Sequence, residues 1–355
     1  MNATANNRTP VTIVTGFLGS GKTTLLNRLL REAHGKRIAI IENEFGEVSI
    51  DDALIESANQ SVFKLSNGCL CCTINGDLIG TLQDLAKRKS EFDYVIIETT
   101  GVANPAPVVQ TFMVNEDIAD EFELDSVVTL VDAKHISLHI STKECKEQIA
   151  FADIVVLNKL DLVSDADLAV VEQLIGGINS IARVVKTTRS DIDLSQILGQ
   201  GAFSKSLALP TEAVTHDHDH SGEHTHGPEC SDDGCEGDDH SHEHDHEHGH
   251  LHHHHHDDDI ESVGLELQGN LDQAKFNSWF GQLISASGDS LYRSKGILSV
   301  AGRDNRVIVQ TVHRVSEVNE GASWGADSRL SKIVFIGKNL DKTLLLNGLT
   351  DCLSK

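Results

Sequence analysis

Residues 16–24 read GFLGSGKTT, and no other stretch restricts the fold of this chain as tightly. The pattern G-x-x-x-x-G-K-[ST] is met by Gly16, Gly21, Lys22 and Thr23. The β-branched run VTIVTG leads into it, and KTTLLNRLLREA follows with helical spacing of its leucines. Strand, glycine-rich turn and helix in that order make a phosphate cradle. Glycine lets backbone N–H groups curl around phosphate oxygens, and the helix N-terminus adds the positive end of its dipole. Lys22 is expected to bridge the β- and γ-phosphates and the Thr23 hydroxyl to ligate Mg²⁺, with Gly19, Ser20 and Thr24 completing the contact surface. A chance match would lack the flanking strand and helix.

The rest of the first half repeats the same architecture. RIAIIE, DYVIIE, SVVTLVD and DIVVLNK join VTIVTG as near-continuous apolar runs, separated by helical stretches such as DLIGTLQDLAKRK. Runs of this kind suit parallel strands buried on both faces, with helices crossing between them. The fold called for is a doubly wound, mostly parallel α/β domain over residues 1–208. Residues 209–259 have no apolar periodicity and read as a disordered insert rich in His, Asp and Glu. From 260 to 355 order signals return: IESVGLELQG, KGILSVAG, DNRVIVQTV and LSKIVFIG read as strands, LDQAKFNSWFGQLISAS and DKTLLLNGL as helices. These predict a smaller α+β domain with an antiparallel sheet.

Net charge narrows the partners. The chain carries −25, but 16 acidic residues and no Lys or Arg lie between Thr211 and Asp259, and without them the charge is −9. Local acidity argues against nucleic acid, whose phosphates it would repel, and favours cations. No apolar run approaches membrane-spanning length and the polar start MNATANNRTP has no signal-peptide core, so a soluble, cytoplasmic protein is expected. Seven cysteines in clusters fit reduced thiols better than a disulfide framework.

NKLD, Asn158 to Asp161, closes the run IVVL, and its carboxylate can accept two hydrogen bonds from guanine N1–H and its exocyclic amine. Asn158, Lys159 and Asp161 therefore point to GTP and GDP. Glu98 ends the run DYVIIE and is placed to hold the magnesium shell or orient water. Gly101 follows it closely enough for its backbone N–H to approach the γ-phosphate.

GFLGSGKTTLLN, IENEFGEVSID, NGCLCC, IIETTGVANPAPV and LNKLD occur in an order that resembles the CobW-type P-loop GTPases, in particular the YjiA-like branch. The run LYRSKGILSV…WG…RLSKIVFIGKNLD resembles that family's C-terminal domain, so the resemblance spans nearly everything but the His-rich insert. It implies GTP hydrolysis coupled to handling of a transition metal, Zn²⁺ or Co²⁺, for delivery to an apo-metalloprotein client.

SNGCLCC puts three thiols, Cys69, Cys71 and Cys72, into four positions. They are the softest ligands the chain offers, and zinc's preference for four ligands asks for help from elsewhere. IENEFGE supplies Glu42 and Glu47. The resemblance implies Glu42, Glu47 and Cys71 as metal contacts with Cys69 and Cys72 nearby. Packing as small hydrophobes would suit one cysteine better than three. Cys145 and Cys352, each alone in a helical pattern, read as core or surface thiols.

The insert holds 16 of the 20 histidines, with Cys230 and Cys235 among them. Flexible imidazoles interleaved with carboxylates suit a weak, unselective metal reservoir. The other histidines, His34, His135, His139 and His313, read as helix-surface or sheet-packed residues, and His313, read onto a strand, is the one to test for a metal or client role. Two further readings stand beside the metallochaperone: a metal buffer in which the insert carries the function, and a GTPase unrelated to metal. A homo-oligomer is compatible with all three.

Overall fold

The structure, a computed structural model, describes residues 8–31, 37–43, 61–65, 74–204 and 259–354. Glu47, Cys69, Cys71, Cys72, His34 and residues 209–258 of the His-rich insert, with Cys230 and Cys235, lie outside the described residues.

The first sheet contains β1 (Thr9–Gly16), β2 (Ile38–Asn43), β3 (Ser61–Leu65), β4 (Tyr94–Glu98), β5 (Phe122–Asp132), β6 (Ile154–Asn158) and β7 (Arg183–Lys186). Its order is β3-β2-β4-β1-β5-β6-β7, and every pairing is parallel. The helices that accompany it are α1 (Lys22–Arg31), α2 (Ile74–Ala86), α3 (Ala106–Val114), α4 (Glu116–Glu121), α5 (Ile136–His139), α6 (Lys143–Ala150) and α7 (Asp165–Ile178).

The unbroken apolar runs are explained by burial on two sides. In β1, Ile13 joins one core with residues of α2, α3, α6 and α7, whereas its neighbour Val14 faces the other core with Leu25, Leu26 and Leu29 of α1. Alternate residues of a strand point to opposite faces, so a strand covered on both must be apolar at nearly every position. β1 sits between β4 and β5, where the chain order reverses. Ligands of open α/β sheets bind outside the strand ends at such a switch point.

The second sheet is built from β8 (Ile260–Gln268), β9 (Leu291–Leu298), β10 (Asn305–Val312), β11 (Val315–Ser323) and β12 (Leu330–Lys338), in the order β11-β10-β9-β12-β8 and antiparallel throughout. β11 escapes a reading by pattern because its burial alternates only between half-buried and exposed, as suits a sheet edge. His313 is not on a strand: with Arg314 it makes the two-residue turn joining β10 to β11, at φ 51°. One face of this sheet holds α8 (Gln273–Ser287) and α9 (Lys342–Asp351) through Phe276, Phe280, Leu345 and Leu349.

The other face lies on the first domain. Ile260, Tyr292, Val312, Val334 and Ile336 belong to the same apolar core as α3, α6 and α7. At its centre Arg293, 1 % exposed, donates to the Phe151 carbonyl at 2.5 Å and pairs with Asp153. Lys295 donates to the Ala202 carbonyl at 2.5 Å and lies 3.7 Å from Asp153. Asp153 also accepts from the Val127 N–H at 2.9 Å, so the buried carboxylate is met by backbone as well as by charged donors. Removing one partner of such a pair leaves an uncompensated buried charge.

Candidate nucleotide and metal site

The turn after β1 has the shape a phosphate cradle requires. Gly16, Gly19 and Gly21 take φ values of 141°, 74° and 109°. At Gly21 the conformation is forced twice over, since a Cβ there would also lie 2.5 Å from Asn158 Nδ2. Lys22, the first residue of α1, folds its ammonium back over the turn and donates to the Gly16 carbonyl at 2.8 Å. No acidic residue occupies the first turn of α1 to compete with a phosphate for the helix N-terminus. Thr23 is half-buried and Thr24 exposed at that terminus, and Ser20 is 1 % exposed. These residues fit a polyphosphate.

Asn158, at the end of β6, ties the cradle down. Its Nδ2 donates to the Ser20 carbonyl at 3.0 Å and to Ser190 Oγ at 3.2 Å, and its Oδ1 accepts the Ser190 N–H at 3.0 Å. Ser190 Oγ donates in turn to the Gly21 carbonyl at 3.3 Å. Arg189 and Ser190 both hold left-handed backbone, at φ 54° each. Two adjacent residues of that kind cost strain that surrounding contacts must sustain, which is common at ligand sites. Ser190 went unread in the sequence because TTRSD carries no pattern of its own.

Lys159 also adopts a left-handed conformation, φ 63°, and sends its ammonium to Asp132 at 2.7 Å. Asp132, the last residue of β5, is met at 2.9 Å by His135 Nδ1 as well. Burial would raise the Asp132 pKa, but the hydrogen bonds from Lys159 and His135 outweigh it and hold the carboxyl below its ordinary value. Asp132 is a second site residue the sequence did not announce. Asp161 lies exposed in the short helical turn Leu160–Leu162, on the rim of an open cleft of about 580 Å³ lined also by Lys186, Thr188 and Arg189.

Glu98 closes β4 next to the cradle, in register with Val14 of β1 on one side and Glu42 of β2 on the other. Thr99 follows with its N–H on the Val14 carbonyl at 3.0 Å and its hydroxyl on Thr15 at 2.7 Å. Gly101 is buried under Leu18 of the cradle, and a Cβ there would lie 2.9 Å from the Leu18 amide nitrogen. β2 and β3 end side by side, Asn43 opposite Leu65. Among the described residues no three His, Cys, Asp or Glu side chains gather in a way that could hold a metal ion.

Cys145 and Cys352 are buried, and burial pushes the Cys145 thiol up to about 11. Thiolate, not thiol, binds metal, so Cys145 is a packing residue. His139 stacks on Phe17 with ring centroids 4.5 Å apart, and His313 is packed between Phe151 and Tyr292, each 5.3 Å away. Burial lowers the pKa of His313, whose Nδ1 lies 3.2 Å from the Leu291 carbonyl oxygen. Its two aromatic neighbours are those of a packed side chain. Among the described residues no helix is long and apolar enough to cross a membrane.

Comparison with known proteins agrees with this geometry. Residues 10–186 match the CobW/HypB/UreG nucleotide-binding domain and residues 260–353 the cobalamin synthesis protein cobW C-terminal domain. The chain is 33% identical to the zinc chaperone YjiA of Escherichia coli over 93% of its own length and 94% of the relative's. It is 32% identical to the zinc chaperone CobW of Pseudomonas aeruginosa over 97% and 92% of the two chains. The crystal structure of the Zn(II)-bound YjiA GTPase from E. coli superposes with a TM-score of 0.73 at 28% identity, covering 98% of this chain and 100% of that one. Sequence, fold and cradle agree, and the chain belongs to the CobW/HypB/UreG family, with the CobW C-terminal domain following the nucleotide-binding one.

Proposed function

We propose that this protein is a GTP-hydrolysing metallochaperone that loads a transition metal, zinc before cobalt, and hands it to an apo-metalloprotein client under control of the bound nucleotide. Lys22 neutralises the β- and γ-phosphates, Asp161 reads guanine, and Thr23 and Glu98 hold Mg²⁺, which supplies charge neutralisation on the phosphate oxygens. The cargo metal takes its ligands from Glu42, Glu47, Cys69, Cys71 and Cys72. The boundaries that go with this reading are a nucleotide domain over 1–208, a metal-collecting insert over 209–259 and a C-terminal domain over 260–355.

One observation carries the gating: Glu42 and Glu98 are register neighbours on paired strands β2 and β4. A metal ligand and a nucleotide-site carboxylate share a rigid element, so a shift of one strand end is felt at the other. Linkage makes the effect reciprocal, with about 1–3 kcal/mol, or 5–150-fold, typical of such coupling. The test is competition for Zn²⁺ against a chromophoric chelator in the apo, GDP and non-hydrolysable GTP states. Zinc affinity should differ between GDP and GTP states, and Cys71→Ala should remove tight zinc binding while GTP still binds. Equal affinity in all three states overturns the gating.

A further inference from the structure

Gln148, on α6, is an uncharged polar side chain buried beside the nucleotide cradle, at 1 % exposure. Its Nε2 donates two hydrogen bonds, to the Gly101 and Ala103 carbonyls, both at 3.1 Å. Those carbonyls belong to one turn, closed by the Ala103 N–H on the Thr100 carbonyl at 3.0 Å. Its own backbone carbonyl is held by the Thr129 hydroxyl at 2.7 Å, on central strand β5. The amide is therefore fixed at its root to the sheet and at its tip to the turn that follows Glu98. Turned over, it would set its oxygen against two carbonyl oxygens, so only one orientation serves.

We infer that Gln148 is a positioning residue for GTP hydrolysis: by gripping two carbonyls of the 100–103 turn it aims the Gly101 N–H at the γ-phosphate. This rests on the GTPase reading above and deepens it. A peptide group is planar, so a turn pinned at its Gly101 and Ala103 carbonyls, and closed from Ala103 to Thr100, leaves the Gly101 amide little freedom. Gly101 packs under Leu18 of the cradle, and Gln148 lines the same small cavity as Leu18 and Ser20. The turn, the cradle and α6 thus form one packed unit. Contacts that orient a reacting phosphoryl group act on turnover more than on ground-state binding, and a displacement near 1 Å can cost about 100-fold.

The experiment compares wild-type protein with Gln148→Leu, which removes both donors at similar volume, and Gln148→Glu, which keeps the shape and replaces the donors by an acceptor. GDP affinity, affinity for a non-hydrolysable GTP analogue, kcat and KM for GTP, and thermal midpoint are measured on each. The expected result is a fall in kcat of about 10–100-fold in both variants. GDP affinity should stay within about twofold, and the preference for the GTP analogue over GDP should shrink. Unchanged kcat in either folded variant overturns the inference. So does a parallel loss of GDP binding and turnover, which marks a purely structural role. If one variant does not fold, the other decides. Wild-type protein that hydrolyses no GTP would refute the GTPase reading itself, a result separate from any effect at Gln148.

Discussion

Asn158 and Ser190 exchange two hydrogen bonds, the Ser190 N–H to Asn158 Oδ1 at 3.0 Å and Asn158 Nδ2 to Ser190 Oγ at 3.2 Å, while each also reaches a carbonyl of the phosphate cradle. The loop after β7 is thereby locked to the turn after β1. Ser190→Ala removes the hydroxyl from this lock. A net hydrogen bond is worth about 0.5–1.5 kcal/mol, so GDP and GTP should both bind about 2- to 12-fold more weakly, by the same factor. Isothermal titration of each nucleotide measures it.

Asp161 should decide the base. Asp161→Asn exchanges an acceptor oxygen for an amide donor, which faces the guanine amine badly and the xanthine carbonyl well. Losing hydrogen bonds to a charged group costs about 1.5–3 kcal/mol, so GTP affinity should fall roughly 10- to 150-fold while xanthosine triphosphate gains. Competition between the two nucleotides reads the switch directly, and unchanged GTP affinity would remove Asp161 from the site.

Gly101 has no room for a side chain. A Cβ would lie 2.5 Å from Leu18 Cδ2 and 2.9 Å from the Leu18 nitrogen, and the second of these is backbone that cannot swing aside. Gly101→Ala should push the 100–103 turn off the cradle, lowering kcat by at least about tenfold with GDP binding kept. Single-turnover hydrolysis beside GDP titration separates the two effects.

Lys295 should leave a mark on stability against pH. Burial lowers its pKa from 10.5 to about 8, with Asp153 pulling the other way and Arg293 adding to the fall. Between those values the unfolded chain binds the extra proton, so folding stability from this group rises with pH from 8 to 10.5. Below pH 8 both states are protonated and the cost of burying the ammonium is present in full. Lys295→Met should abolish that rise, which for this shift is roughly 3 kcal/mol. Urea unfolding of both proteins across the range supplies the difference; parallel curves would show that the ammonium is not titrating there.

Deleting residues 216–256 should sharply lower the number of zinc ions bound while leaving GTP turnover and one tight site in place, because the segment has too little apolar content to belong to either core. Metal analysis after chelator washing is the measurement. A deletion variant without the tight site would put the cargo ligands in the insert.

Legibility followed the range of the interaction. The cradle, the NKLD loop and the apolar runs of β1, β2, β4, β5 and β6 could be read directly, because a glycine turn and a period of two or 3.6 are properties of neighbours in sequence. β7 is only four residues long, β3 (SVFKL) breaks its apolar run with Lys64, and edge strand β11 is too polar. The β9 run was recognised only from Lys295 onward, although the strand starts at Leu291, since Arg293 and Lys295 sit at buried positions where pattern expects apolar residues.

By itself the sequence determined that a parallel sheet would carry a phosphate cradle and, at a later strand end, the NKLD loop, and that a second, antiparallel sheet would follow. Only the tertiary structure decided which distant residues serve them. Ser190 lies 32 residues from Asn158, Gln148 lies 47 from Gly101, and Arg293 lies 140 from Asp153. A glutamine, a serine or an arginine carries no information about its partner until folding closes the loop between them. Once water is excluded, each buried donor must find an acceptor or cost the protein the whole desolvation of that group, and this selects the pairs.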